Sequence, residues 1–406
     1  MIPEDHYIPL IMQNYVLNYR LMCNRRFQSP TSALQHKTKI QSWKLHCAPN
    51  SQPIITDNTE LDGTILFSFS TSPTAAHPPT HTHEPEEELL SDEYSDEMQK
   101  RMGNTSLVYR HEDGMNYTRI LDDLIVGSCL QIADDVDYLT ANEDVRTILS
   151  LQEDCDMDYF SLDLNPIITR CNSKGNSVDH IRHRIRDFDP ISLRIELPGA
   201  VAAFAQSASK HGGTSYVHCT AGMGRAPAVA LAYMWWVKGI HLEEGHALLT
   251  GKRTCSPRLA SIRAATADLL YGGPPTPVEI EVYKFGTASQ IEIAGLDVGW
   301  GCKVQLQRDI PRARFFLHRQ LLPGTYQYKF IVDGHWTYSC DHPILNDGGN
   351  LNNYVTVEFE NEDRQVMEGR ERLLSEGGRL TEEEGEKLKE LIYNSIKSDG
   401  GVGMHM

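Results

Sequence analysis

His218-Cys219-Thr220-Ala221-Gly222-Met223-Gly224-Arg225 places a thiol and a guanidinium at the two ends of a five-residue loop that carries two glycines. A β-run, Thr214 to Val217, leads in, and an apolar helical run, Ala226 to Trp236, leads out. The loop is therefore expected on a helix N-terminus, where anions bind. A thiolate is the nucleophilic form of cysteine, and inward-facing N–H groups with a helix dipole draw its pKa from about 8.5 to roughly 3.5–7.5. Cys219 is expected to be ionised at neutral pH. Gly222 and Gly224 are expected at positive φ, bringing backbone amides close to a tetrahedral phosphate. Thr220, Ala221, Gly222, Met223 and Gly224 would form the cradle, and Arg225 would hold two phosphoryl oxygens with its planar fork. A Cys and an Arg at this spacing arise often by chance. The preceding His, both glycines and the strand–loop–helix context make the signal specific.

These residues resemble the cysteine-dependent phosphatases of the dual-specificity branch. Most of that branch follows the Arg with Ser or Thr, whereas this chain has Ala226-Pro227. The longer string from Cys219 to Pro227 is similar to the plant and algal starch-excess phosphoglucan phosphatases, and the likeness runs from about Tyr109 to Ser395. The resemblance implies removal of phosphate from starch-like glucans through a phosphocysteine, with no cofactor and no metal. A sugar alkoxide leaves poorly unless protonated, and general acid catalysis contributes about 10²–10⁴-fold. Ile185-Arg186-Asp187-Phe188-Asp189 matches the family's acid motif, which assigns Asp187 as the acid. Asp189 competes, because two residues along an extended segment put both carboxylates on one face.

The family also lines its channel with aromatics that stack on sugar rings. Tyr159, Phe160 and Phe188 are the matching residues, although Tyr159 and Phe160 equally suit a core. The family's aromatic before the Pro of a Cys-aromatic-Pro step is absent, since the step here is Cys255-Ser256-Pro257. Relatives can pair the catalytic Cys with a Cys at the position of Ser150, so that redox switch is not expected. Cys155 could substitute only if its loop folds back.

The elements that must position these residues read as an α/β domain from about 106 to 272. Strands are expected at Asp123 to Gly127, Val145 to Leu151, His180 to Ile185 and Thr214 to Val217. Helices are expected at Ala133 to Ala141, Leu193 to Lys210, Pro227 to Trp236, Leu242 to Thr250 and Arg258 to Leu270. Residues 273–277 form a stiff Gly/Pro linker. Beyond it the period switches to two, in Val278 to Tyr283, Gln290 to Ile293 and Tyr326 to Val332, which marks a β-sandwich at 278–360. That domain resembles a starch-binding module, with Trp300 and Trp336 stacking on glucose and Lys329 and Asn353 hydrogen-bonding hydroxyls. A Trp in a sandwich core is the alternative for both. Residues 361–397 end in a helix, with a Thr381/Glu384 capping box and a Leu388, Leu391, Ile392 stripe. By resemblance this helix packs back on the first domain.

The fold class is therefore an α/β phosphatase domain with a central sheet flanked by helices, then an all-β carbohydrate-binding sandwich and a C-terminal helix. At 406 residues, 40% hydrophobic and 23% charged, the chain has apolar material for both domains. No apolar run reaches the roughly 20 residues of a membrane span. A net charge of −17 argues against nucleic acid and anionic membranes as partners. Nine cysteines without paired short spacings fit neither a secreted disulfide framework nor a zinc site. Residues 6–56 lack any acid, while Arg and Lys alternate with Ser, Thr and Gln. This suits a plastid transit peptide over 1–60, with Met12 and Met22 as alternative starts, or an unstructured arm. Residues 61–105 read as a disordered linker ending in the acidic run Glu84 to Glu97. The expected setting is the chloroplast stroma at the starch granule surface, as a monomer. Two other functions stay open: a protein phosphatase targeted by its sugar module, and a scaffold without chemistry, against which the intact Cys, Arg and Asp argue.

Overall fold

Strand residues between 124 and 127 and between 214 and 218 are buried at every position, as parallel strands covered on both faces must be. The computed structural model describes residues 75–76, 92–99, 108–272, 275–283, 288–361 and 363–394. Its first sheet contains β1 (Ala75–Ala76), β2 (Asn116–Leu121), β3 (Leu124–Gly127), β4 (Val145–Ser150), β5 (Asp179–Arg182) and β6 (Thr214–His218). The order is β1-β2-β3-β6-β4-β5, with β3, β6, β4 and β5 parallel. β6 is thus flanked by a parallel strand on each side, and its carboxyl end opens the crevice where such sheets bind ligands.

Eight helices accompany this sheet among the described residues: α1 (92–99), α2 (Ala133–Asn142), α3 (Asp154–Tyr159), α4 (Asn165–Ser173), α5 (Pro190–His211), α6 (Arg225–Trp236), α7 (Leu242–Lys252) and α8 (Leu259–Tyr271). All 12 residues of α6 are buried, which explains its unbroken apolar sequence. Helix α5 begins where Asp189 caps the Ile191 and Ser192 amides and Pro190 occupies the first turn.

The second domain alternates as its sequence does. β7 (Thr276–Val282), β10 (Gln307–Asp309) and β11 (Arg314–Leu321) form one sheet. β8 (Ile291–Gly295), β9 (Gly299–Gln305), β12 (Gly324–Val332), β14 (Ile344–Asp347) and β15 (Asn350–Val357) form the other, with β13 (His335–Thr337) on β12. Ile280, Ile291, Ile293, Phe315, Tyr326, Tyr328 and Phe330 fill the space between them.

Helices α9 (Arg364–Leu374) and α10 (Glu382–Asn394) return to the first domain. The capping box is formed: Thr381 N donates to Glu384 Oε2 at 2.7 Å and Glu384 N to Thr381 Oγ1 at 3.2 Å. Leu388 and Ile392 are fully buried in the first domain's core. Arg194 and Arg370 both bind the buried Asp268 carboxylate, at 2.6–2.8 Å, and Arg194 also donates to Pro323 O at 2.7 Å. One ionic cluster therefore joins the α/β domain, the sandwich and the C-terminal segment.

One expectation changes. Within the stretch read as a disordered linker, residues 92–99 form α1. Tyr94 and Met98, four apart, give it one apolar edge, and Ser95 Oγ bonds both the carbonyl and the amide of Tyr109 at 2.8 and 2.9 Å. The region expected as a transit peptide lies outside the described residues.

Leu388→Ala is expected to cost about 2–5 kcal/mol through the cavity it leaves. A urea midpoint that does not move would show that α10 is no part of the folded unit.

Candidate active site

Cys219 follows the last residue of β6 and is buried in an open cleft that Tyr94, Asp187, Phe188 and Arg225 also line. Gly222 has φ +68°, and a Cβ there would lie 2.6 Å from Arg253 Nη2 and against Gly127 O, so only glycine fits. Gly224 departs from expectation. It caps α6 at φ −119° and needs no left-handed conformation. Thr220 Oγ1 accepts from Gln152 Nε2 and from Arg225 Nη2, each at 3.2 Å. His218 Nδ1 lies 3.2 Å from Cys219 O, and burial, ahead of neighbouring His180, lowers the His218 pKa to about 3. The imidazole is therefore neutral and adds no charge beside the thiol.

Arg225 is held on three sides. Nη1 binds Asp156 Oδ2 at 2.6 Å and Ile185 O at 3.0 Å, while Nη2 lies 2.9 Å from Asp187 Oδ2. Burial opposes its charge, but Asp187 and Asp156 overcome this and raise its pKa well above the usual value. Asp156 was not legible as a site residue, being one of several acids between 153 and 158. It reaches the site because α3 folds directly after β4.

The structure separates the two acid candidates. Phe188 adopts φ +55°, so the segment is not extended and the carboxylates diverge. Asp189 is consumed by capping α5 and by Arg186 Nε at 3.0 Å. Asp187 faces the cleft, where the Tyr94 hydroxyl donates to its Oδ2 at 2.6 Å. Desolvation, ahead of the Asp187 carboxylate, raises the Tyr94 pKa well above 10. Tyr94 is a second residue that sequence reasoning missed. Its only signal was an aromatic four residues before Met98 inside an acidic run.

Around Tyr94 the aromatics form a cluster, with ring centroids 5.6 Å from Phe160, 5.8 Å from Tyr109, 6.1 Å from Phe188 and 6.2 Å from Tyr159. Tyr159 is exposed and Phe188 half-buried beside the cleft. Phe160 is corrected: it is buried, with one face stacked on His111 at 4.5 Å, and serves as floor for the cluster rather than as a sugar platform. Ser256 lines the cleft where the family's aromatic would stand.

On the sandwich, Trp300 and Trp336 are exposed by 37% and 49%, which sets aside the core alternative for both. Trp336 pairs with Ile331 of β12, so it shares a face with half-buried Lys329. Lys303 Nζ lies 5.9 Å from its ring centre. Asn353 is corrected. It pairs with Tyr328, whose side chain is in the core, and is itself fully buried. Its amide donates to Ser339 O and Pro343 O and accepts from Ser339 N, at 2.8–3.2 Å. Asn352, one residue earlier, lies on the Trp336 face and donates to Gln327 Oε1 at 2.7 Å.

The sandwich meets the acid loop directly. Arg186 Nη2 donates to Asp297 O at 2.9 Å, and a Cβ on Gly299 would lie 2.7 Å from Asp189 Oδ2. Trp300 is the next residue. Ser150 pairs with His218, one residue from Cys219, and carries a hydroxyl where a disulfide partner would be needed. Cys155 is exposed on α3, its Sγ 3.9 Å from Glu153.

Residues 276–363 match the family model described as the glycogen recognition site of AMP-activated protein kinase. The chain is 39% identical over 360 residues to "Phosphoglucan phosphatase DSP4, amyloplastic" of Castanea sativa, covering 87% of this chain and 94% of that protein. It is 28% identical over 308 residues to "Phosphoglucan phosphatase LSF1, chloroplastic" of Arabidopsis thaliana, covering 71% of this chain and 51% of that protein. The sandwich region is 37% identical over 89 residues to the 5'-AMP-activated protein kinase subunit beta of Schizosaccharomyces pombe, 22% of this chain and 28% of that protein.

Asn353→Ala leaves the Ser339 amide without its acceptor, worth about 1–3 kcal/mol when buried, while the Ser339 and Pro343 carbonyls keep the His342 and Tyr354 amides. The variant is expected to lose stability in urea while its folded fraction binds β-cyclodextrin as the native protein does. Lost binding at unchanged stability would restore Asn353 as a sugar ligand.

Proposed function

The chain belongs to the phosphoglucan phosphatase family, and from that premise we propose how its residues divide the reaction. It is a cysteine-type phosphatase that removes phosphate monoesters from starch-like glucans. Cys219 Sγ attacks phosphorus, the bond from phosphorus to the sugar oxygen breaks, and Asp187 gives its proton to that oxygen. Water then attacks the phosphocysteine, losing a proton to Asp187, and the thiolate and inorganic phosphate are released. Backbone N–H groups of residues 220–224 and the Arg225 fork take the charge that spreads over the phosphoryl oxygens. The observation that carries this division of labour is the convergence of Cys219, Arg225 and Asp187 on one cleft.

Asp187 lies on the Arg225 fork. A phosphate dianion entering the cradle takes that place, which frees Asp187 to take up a proton from solvent and turn toward the leaving oxygen. Tyr94, Tyr159 and Phe188 offer ring faces to the glucan near the chemistry. Trp300 and Trp336 hold it on the sandwich, with Lys329 beside Trp336. The Arg186–Asp297 contact keeps the two regions in register. Plastid location follows the amyloplastic and chloroplastic relatives. We place the protein at the starch granule surface in starch breakdown, acting as a monomer.

The test is phosphate release from phosphorylated amylopectin beside a tyrosine phosphopeptide. Native protein is expected to prefer the glucan, Cys219→Ser to lose all release, and Trp336→Ala to lose several-fold on the glucan alone. Preference for the peptide would move the function to protein substrates, and silence on both would leave a scaffold.

A further inference from the structure

Arg253 follows α7 directly and lies behind the cradle, 6% exposed. Its Nε donates to Gly222 O at 2.8 Å, and its Nη2 to Ala221 O at 3.0 Å and to Asn116 Oδ1 at 2.8 Å. Nη1 reaches Thr118 Oγ1 at 3.3 Å. All four acceptors are neutral. Among the described residues Arg253 forms no ion pair with a carboxylate, whereas Arg225 is shared by Asp156 and Asp187.

Peptide planarity turns this into geometry. In a trans peptide the C=O and the following N–H point in opposite directions. Drawing the Ala221 and Gly222 carbonyls back onto Arg253 therefore aims the Gly222 and Met223 amides away from it, into the cradle. Charge gives a second effect. Arg225 with two carboxylates sums to a net negative group, and with Asp156 alone to zero, so a dianionic phosphoryl group meets no net positive side-chain charge there even after Asp187 leaves. Arg253 is buried next to the same loop, where a guanidinium stays protonated and its field is poorly screened.

We propose that Arg253 is a positioning residue of the phosphate cradle: its fork orients the Gly222 and Met223 amides, and its uncompensated charge supplies the positive potential that stabilises the Cys219 thiolate and the bound phosphoryl group. The inference rests on the phosphatase reading of Cys219 but not on the glucan.

The experiment uses the full chain with R253Q and R253K. Three quantities are measured: alkylation of Cys219 by iodoacetamide against pH, inhibition by inorganic phosphate, and kcat and KM on p-nitrophenyl phosphate. In R253Q, alkylation is expected to slow about tenfold near pH 6 and to converge with the native rate near pH 9, as loss of a nearby buried charge requires. Phosphate inhibition is expected to weaken about tenfold. R253K keeps the charge without the fork, so it is expected to recover the alkylation profile but not the phosphate affinity. A native alkylation profile and native phosphate inhibition in folded R253Q would overturn the proposal. If R253Q does not fold, native phosphate affinity in R253K would overturn the claim that the fork orients the amides. Should the native protein hydrolyse no phosphate monoester, the phosphatase reading fails by itself, and alkylation with phosphate binding still decides the role of Arg253.

Discussion

The site depends on how tightly the backbone turns between Cys219 and Arg225. The turn starts at the end of a strand buried on both faces and finishes in a helix buried on every side. Neither end can move, so the intervening peptides must close the gap within fixed limits. Gly222 is the point of greatest crowding, pressed between Gly127 O and Arg253. Because it sits at φ +68°, a side chain there would meet both a steric and a torsional cost. The amide directions that make a phosphate site are thus consequences of packing behind the loop as much as of the loop's own sequence.

Charge is arranged in opposition across this loop. On the cleft side, Arg225 is bound by Asp156 and Asp187; on the far side, among the described residues, Arg253 touches only neutral acceptors. An arginine tied to two carboxylates is well oriented but electrostatically spent, and one tied to carbonyls keeps its field. The protein carries a net charge of −17, so the attraction for a phosphate dianion has to be local. Asp187 lies on the cleft side of the Arg225 fork, 2.9 Å from Nη2.

What the sequence made legible follows from chain-local constraints. The cradle was readable because its residues are contiguous, and the Thr381/Glu384 capping box because its partners are three apart. Asp156, Tyr94 and Arg253 reach the site through tertiary packing, from α3, α1 and the end of α7, and carry no spacing signal relative to Cys219. Asn353 failed on parity. In a pleated strand adjacent residues face opposite ways, so a motif placed one residue off exchanges the sugar face for the core. Phe160 failed for a related reason: adjacent residues at a helix end point in different directions, and Phe160 is the one turned inward against Tyr94, Tyr109 and His111. Asp189 stayed a competitor of Asp187 until the positive φ of Phe188 turned their carboxylates apart and made Asp189 a helix cap.

The two domains are joined where the chemistry is most sensitive to position. Arg186, beside the acid, donates to Asp297 O of the sandwich, while the Asp297 carboxylate is held by Arg319. Farther back, Arg194 and Arg370 converge on Asp268, and Arg194 extends to Pro323 O. Breaking one partner of such a buried cluster leaves an uncompensated charge, which costs far more than the intact cluster contributes. Independent motion of the sandwich would expose these groups, so the junction behaves as one body with the acid loop. Trp300 follows Gly299, which packs against Asp189, and a sugar ring bound there is therefore located relative to Asp187 by covalent geometry and two hydrogen bonds. A flexible tether would only raise the local concentration of glucan.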